Sequence, residues 1–165
     1  MIRRPPRSTL SSSSAASDVY KRQIILSVII VGIAIAVGIN MFQTNAVDSN
    51  RQALISDVTN LGAKAHRYWR TPTSLAGGGQ DFEGFYLTPK EAENANGVFR
   101  VEDTEPTDAS TITADTSASA KTKIGDGTSV IYIIASGVEL GDDGTNQVKV
   151  YATVNGQQVV TAVLN

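Results

Sequence analysis

The segment IILSVIIVGIAIAVGINMF, residues 24–42, decides the fold of this chain. It carries no charged residue, and only Ser27 and Asn40 interrupt its apolar and small side chains. At about 1.5 Å per residue, a helix of this length spans about 28 Å, close to the thickness of a bilayer's hydrocarbon core. A lone segment in lipid must satisfy its own backbone, so the sequence predicts a transmembrane helix over residues 24–45. A buried core helix or strand pair is the alternative.

Small residues recur within this segment at a spacing of four. Gly32 and Ala36 form one pair, and Ala34 and Gly38 form another. Such pairs let helices approach closely in a membrane or a bundle, which predicts a helix-packing and assembly role for all four residues. Glycine and alanine are also simply common in membrane helices, so both interpretations stay open at this point.

The helical pattern continues past Phe42 into RQALISDVTNLGAKAHRYWR, residues 51–70. Apolar residues recur there with gaps of three, four and seven, at Val47, Leu54, Val58, Leu61, Ala65 and Tyr68. This period predicts an amphipathic helix over residues 46–70, whose apolar stripe packs on the rest of the domain. Pro72 follows and is expected to end the helix. Helix is therefore expected almost without a break from residue 24 to residue 70.

From Phe82 onward the apolar period becomes two, which predicts β-strands. The segments concerned are FEGFYL (82–87), GVFRVE (97–102), SVIYIIASG (129–137), QVKVYATVNG (147–156) and QQVVTAVLN (157–165). Asn155-Gly156 between two strands is typical of a two-residue hairpin turn. The last three strands are expected to form an antiparallel meander in a sheet over residues 82–165, with a loop or edge region at 104–122. The expected fold class is α+β, a long N-terminal helix packed on a small antiparallel sheet.

The first 23 residues, MIRRPPRSTLSSSSAASDVYKRQ, differ in character from the rest of the chain. They resemble the translated read-through of a sequencing adapter, so we expect a non-native, disordered segment. We expect that this segment has taken the place of the native start of the chain, including any leader and processing site. A secretory signal is the alternative. Its charges would lie far from the apolar run, and that run is longer than the 7–15 residues typical of a signal.

Charge and composition exclude several classes of function. The chain has a net charge of −2, but residues 24–165 hold 9 basic and 15 acidic residues, a net charge of about −6. An acidic domain lacks the basic surface that nucleic-acid binding requires. The absence of cysteine excludes a disulfide scaffold, thiolate metal sites and cysteine nucleophiles.

No catalytic pattern stands out, so the chain is expected not to be an enzyme and to need no cofactor, metal or small-molecule substrate. The only histidine, His66, lies in the amphipathic helix and is interpreted as a structural residue. The glycines at 77–79 follow a helix, whereas phosphate-binding loops precede one, so they are interpreted as a flexible turn. The acidic turns at 125–127 and 141–144 offer oxygen ligands for calcium, but hairpin turns are the preferred interpretation.

The apolar segment at 24–42 leading into NRQALISDVTNLGAKAHRYWR resembles the type IV pilins and pseudopilins. The stretch ALISDVTNLGAKAHRYWRTPTSLAGGGQDFEGF, residues 53–85, is similar to pilin-like proteins of environmental bacteria with a PTSLGGGG…F.GF region. The resemblance in sequence covers residues 24–87. Beyond residue 87, only the expected architecture, an antiparallel sheet packed on the helix, is similar. The family's cleavage-site glycine, the phenylalanine after it and the glutamate five residues into the helix have no counterpart here. No acidic residue lies between residues 24 and 47.

The resemblance implies a structural subunit of a type IV pilus-like or pseudopilus filament. Its first helical half would anchor the chain in the inner membrane with the head, residues 46–165, on the extracytoplasmic side, and would then pack in the filament core. The implied partners are further copies and other pilin-like subunits. The alternative is a single-pass anchored extracytoplasmic binding module that does not polymerise.

Overall fold

The computed structural model describes residues 12–107, 124–141 and 143–165, of which residues 12–15 are described by their backbone alone. The chain divides into two compact units after Gln43. The described part of the first unit is helical throughout. The second unit, Thr44–Asn165, contains the predicted head and is called the head from here on.

Helix α1 runs from Ser12 to Arg70 over 59 residues without interruption. Residues 24–70 are helical as predicted, but the helix begins before Ile24, so residues 12–23 are helical where the sequence predicted disorder. No glycine or proline lies between residues 12 and 23. Adding such residues to an existing helix requires no new nucleus, which explains the extension.

The end of α1 is covered by the segment that follows it. The backbone N–H of Gly78 donates to the carbonyl of Tyr68 at 2.8 Å, and that of Gln80 donates to the carbonyl of Trp69 at 2.8 Å. These carbonyls belong to the last helical turn, which has no partners within the helix. A Cβ at Gly78 would lie 2.9 Å from the Tyr68 ring. The glycines at 77–79, predicted as a flexible turn, are therefore part of a hydrogen-bonded cap.

Residues 82–87, predicted to begin the sheet, do not form a strand. The Phe85 N–H donates to the carbonyl of Phe82 at 3.0 Å, and Gly84 has a φ of +73°, so the chain turns here. The two phenylalanines and Leu87 are buried. Their apolar spacing reflects a packed turn, which a sequence period cannot distinguish from a strand over so few residues.

A short helix and five strands complete the head. Helix α2, Pro89–Ala92, starts with a capping box in which Thr88 and Glu91 bond each other's backbone. The strands are β1 (Glu93–Asn94), β2 (Gly97–Glu102), β3 (Val130–Leu140), β4 (Gln147–Asn155) and β5 (Val159–Val163). Their order in the sheet is β1-β2-β3-β4-β5, and every neighbouring pair is antiparallel. The predicted meander of the last three strands is thus extended by two strands on the other side.

The main core lies between one face of this sheet and the second half of α1. Alternate residues of β4 are fully buried, as expected for a strand with one face inward: Val148, Val150, Ala152 and Val154. From the helix, Leu54 and Val58 are fully buried in the same cluster. The structure confirms an α+β architecture in which one long N-terminal helix packs on an antiparallel sheet.

Candidate functional site

The apolar half of α1, residues 24–42, is the most unusual surface of the described chain. Its large apolar side chains range from 47% exposed at Ile24 to 79% at Phe42, and they point to all sides of the helix. The helix is long and apolar enough to cross a membrane, judged by length and composition. Such an exposed apolar surface is typical of segments that contact lipid or other helices.

The four small residues predicted for helix packing are exposed on this surface. A Cβ placed at Gly32 or Gly38 would meet no described atom within 4 Å beyond its own helix. In an α-helix, Gly32 and Ala36 lie about 40° apart, and so do Ala34 and Gly38. The two pairs are turned about 200° from each other, so the small residues form two faces on nearly opposite sides.

The structure places the six predicted helix-to-sheet residues at the core or on its border. Leu54, Val58 and Ala65 are fully buried. The other three, Val47, Leu61 and Tyr68, are partly buried and pack against the same cluster. All six therefore lie in or against the core of the head, which includes residues of the sheet and of the segment at 82–87.

Sequence reasoning missed Gly62, which lies on the same face and is buried. A Cβ at this position would lie 2.6 Å from Cγ1 of Val159 and 3.4 Å from Cγ2 of Val154. The missing side chain lets α1 approach β4 and β5 closely. A glycine within a helix costs about 1 kcal/mol relative to alanine, and that signal alone could have indicated a packing role.

A polar clamp holds the β1–β2 turn against α1. Asp57 Oδ2 accepts hydrogen bonds from the side-chain amides of Asn94 and Asn96, each at 2.8 Å. About two helical turns earlier, the Asn50 side-chain amide donates to the carbonyl of Asn96 at 2.9 Å. Asn50 is only 8% exposed, and its Oδ1 has no hydrogen-bond partner among the described residues. The clamp fixes the first hairpin to the helix through side chains that the apolar pattern could not identify.

An ion pair joins α1 to α2. Lys64 Nζ lies 2.6 Å from Glu91 Oε2, which also accepts hydrogen bonds from the Thr88 hydroxyl at 2.6 Å and the Thr88 N–H at 2.9 Å. Burial raises the pKa of Glu91, but the hydrogen bonds from Lys64 and Thr88 outweigh it and lower the pKa to about 2. Two shallow grooves of about 200 and 220 Å³ flank this pair.

Three side chains near the end of α1, those of Tyr68, His66 and Trp69, contact the segments of the head that follow the helix. The Tyr68 hydroxyl donates to the carbonyl of Glu83 at 2.6 Å, and burial, followed by the charges of Glu83 and Asp81, raises the Tyr68 pKa. His66 Nε2 lies 3.1 Å from the carbonyl of Gly156. A Cβ at Gly156 would lie 2.7 Å from Trp69 Cε2. These residues hold the helix end in place.

In the acidic turn at 141–144, which was considered for calcium, the carboxylate of Asp143 accepts hydrogen bonds from the chain's own donors, and Asp142 lies outside the described residues. Oδ1 of Asp143 accepts hydrogen bonds from the N–H groups of Thr145 and Asn146, and Oδ2 accepts one from the Asn146 side chain. These bonds, the side-chain bond first, lower the Asp143 pKa to about 2. In the other turn, the Gly127 N–H donates to Asp81 Oδ2 at 2.8 Å. Among the described residues, no group of three histidine or acidic side chains is placed to hold a metal ion.

No protein-family model matches the chain, and no curated protein or solved structure matches it either. Function must therefore be inferred from the chain's own geometry. Two features carry information: an uncharged helix half exposed on all sides, and a small head in which the other half of the same helix packs on an antiparallel meander.

Proposed function

We propose that this chain is a structural subunit of a type IV pilus-like or pseudopilus filament. Before assembly, the apolar half of α1 anchors it in the inner membrane with the head on the extracytoplasmic side. The observation that carries the proposal is the exposed, uncharged surface of residues 24–42 on a helix whose continuation belongs to the core of the head.

The free energy of burying this surface is large. Fully burying one large aliphatic side chain is worth about 1.5–3 kcal/mol, and residues 24–42 carry such side chains on every side. A lipid environment covers them while the subunit is anchored. The apolar halves of neighbouring copies would cover them in a filament, so one surface serves both stages.

The arrangement of the small residues supports open assembly. A two-fold dimer requires one contact face per helix, whereas a filament requires two different faces, one for the preceding copy and one for the next. Gly32 with Ala36 and Ala34 with Gly38 provide close-approach positions on nearly opposite sides of the helix. The acidic residues of the head suit a surface that faces solvent.

The test is assembly of the full chain, followed by electron microscopy and by sizing after gentle detergent extraction. We expect fibres or large oligomers from the native sequence. The double variant Gly32→Leu/Gly38→Leu places a bulky side chain on each small face and should reduce assembly at least several-fold. The matched control Ile33→Leu/Ile39→Leu exchanges neighbouring large residues for their isomers at constant volume and should assemble normally.

Two outcomes would contradict the filament proposal. One is a strictly monomeric native chain in mild detergent, which would favour a single-pass anchored binding module. The other is assembly that is unaffected by the glycine variants. Equal loss of assembly in the glycine variants and in the control would show that the small faces have no special role.

A further inference from the structure

Strand β5, Val159–Val163, forms one edge of the sheet and pairs only with β4 among the described strands. Its sequence, VVTAV, has no charge, proline or glycine, and its register with β4 has no irregularity. Proteins commonly protect an edge strand by making it short, charged, bulged or proline-containing, because an open edge pairs with other strands. With five residues, β5 has typical strand length and none of these protections.

The opposite edge of the sheet differs. Strand β1 has two residues, Glu93 and Asn94, and directly follows α2. The Asn94 side chain is bonded to Asp57 of α1. This edge is short, carries a charge at Glu93 and has its Asn94 side chain bonded to α1, so the protection absent from β5 is present on the other side of the same sheet.

The hydrogen-bond pattern identifies which backbone groups of β5 face outward. The Leu164 N–H donates to the carbonyl of Lys149 at 2.9 Å, and the Asn155 N–H donates to the carbonyl of Gln158 at 3.1 Å. In an antiparallel ladder the bonded residues alternate, so Val160 and Ala162 bond to β4. The N–H and C=O groups of Val159, Thr161 and Val163 consequently point away from the sheet.

Two valines of this edge strand are about half-exposed, one on each face of the sheet. Val160 is 48% exposed and Val163 is 45% exposed, and alternation along the strand places them on opposite faces. Thr161, in the centre, is exposed. An additional strand would cover both valines. It would also form hydrogen bonds with the outward N–H and C=O groups of Val159, Thr161 and Val163.

Charge favours a second copy of this chain as the partner. Two copies of the head, whose sequence is strongly acidic overall, meet with least repulsion where neither carries charge. Residues 150–165 contain no Asp, Glu, Lys or Arg. An antiparallel pair of identical β5 strands places Thr161 opposite Thr161 and Val159 opposite Val163, with no like charges facing each other.

We propose that β5 is an interaction surface that pairs antiparallel with β5 of a second copy about a two-fold axis through Thr161, forming one continuous sheet. The axis is perpendicular to the sheet and reverses the direction of α1. The pairing goes beyond the proposed filament function and does not depend on it.

Cysteine cross-linking of the full chain in detergent tests this geometry, because the native sequence has no cysteine. In the two-fold pair, the Cα atoms at position 161 lie about 5.5 Å apart, within the range that a disulfide bridges. The matched control is Val160→Cys. Position 160 is also exposed, but it lies opposite residue 162 of the other copy and more than about 7 Å from its own counterpart. We expect Thr161→Cys to give several-fold more disulfide-linked dimer under mild oxidation. Equal yields, or no dimer from a folded Thr161→Cys variant, would overturn the proposal.

A charge-exchange experiment provides a second test without a covalent bond. Thr161→Lys and Thr161→Glu each place two like charges opposite one another and should abolish the dimer when alone. Mixing the two variants should restore a mixed dimer, and failure to restore it would count against a two-fold centred on Thr161. Both tests are repeated in the Gly32→Leu/Gly38→Leu background, where dimer formation should persist even though filament assembly is lost. Failure of the β5 pairing proposal can therefore be distinguished from failure of the filament proposal.

Discussion

At the residue scale, close contacts in the head depend on the positions of glycines, which have no side chain, as well as on the positions of large side chains. Gly62 admits Val159 against α1, and Gly156 admits the ring of Trp69. Asn155-Gly156 was predicted as a hairpin turn, but Gly156 is not among the residues with positive φ, and the Asn155 side chain supports the turn by accepting hydrogen bonds from the N–H groups of Gln157 and Gln158. The glycine is needed for space, which is a property of the tertiary contact.

Leu54 allows a direct measurement of the helix-to-sheet contact. It is fully buried, so Leu54→Ala should lower the free energy of unfolding of the head by about 2–5 kcal/mol through lost burial and a cavity. Leu75 is 72% exposed, and Leu75→Ala provides the same chemical change with an expected effect within about 0.5 kcal/mol. Denaturant unfolding followed by Trp69 fluorescence measures both. Similar values for the two variants would contradict this placement of the core.

At the element scale, polar side chains determine how the smaller elements attach to α1. The Asp57 clamp fixes the β1–β2 hairpin, and the Lys64–Glu91 pair fixes α2. Apolar periodicity located α1 and four of the five strands, β2 to β5, because repeated burial leaves a period in the sequence. It misplaced the start of the sheet at Phe82, because a tight turn that buries two phenylalanines leaves a similar pattern over a few residues.

Glu91 should make the stability of the head depend on pH. Its folded-state pKa, about 2, lies below the ordinary value of 4.5, so the unfolded chain binds the proton more readily. The stabilisation is therefore complete above pH 4.5 and is lost as the pH falls from 4.5 to about 2. In Glu91→Gln this contribution should disappear, giving a flatter curve of unfolding free energy against pH in that window. Glu93→Gln, an exposed neighbour, should retain the native slope, and an unchanged slope in Glu91→Gln would contradict the assignment.

At the scale of the whole molecule, one continuous helix serves two different environments. Its first half is apolar on all sides, as a helix surrounded by lipid or other helices requires, and its second half is apolar on the face toward the sheet. The head has its own core, built from α1 residues from Leu54 onward, from four of the five strands and from the segment at 82–87. This division suits a subunit that is anchored or packed through one half and folded through the other.

A charge at the middle of the apolar half tests the anchor. Ile33 is 60% exposed at the centre of residues 24–42, and Ile33→Lys should make insertion less favourable by about 2.5–3.5 kcal/mol. We expect less of this variant to remain in carbonate-washed membranes than of the native chain. Ile33→Leu should remain at the native level. Full membrane retention of Ile33→Lys would argue against a spanning segment at these residues.

The sequence by itself determined the long helix, its apolar and amphipathic halves and the meander of β3, β4 and β5. Each of these elements buries or exposes apolar side chains at a regular interval, and the amino-acid sequence shows that interval directly. Tertiary structure alone decided the contacts of Gly62 and Gly156, the Asp57 clamp, the cap formed by the glycines at 77–79 and the open edge of β5. These depend on atoms far apart in sequence meeting at a particular distance, and a local pattern of hydrophobicity carries no information about that distance.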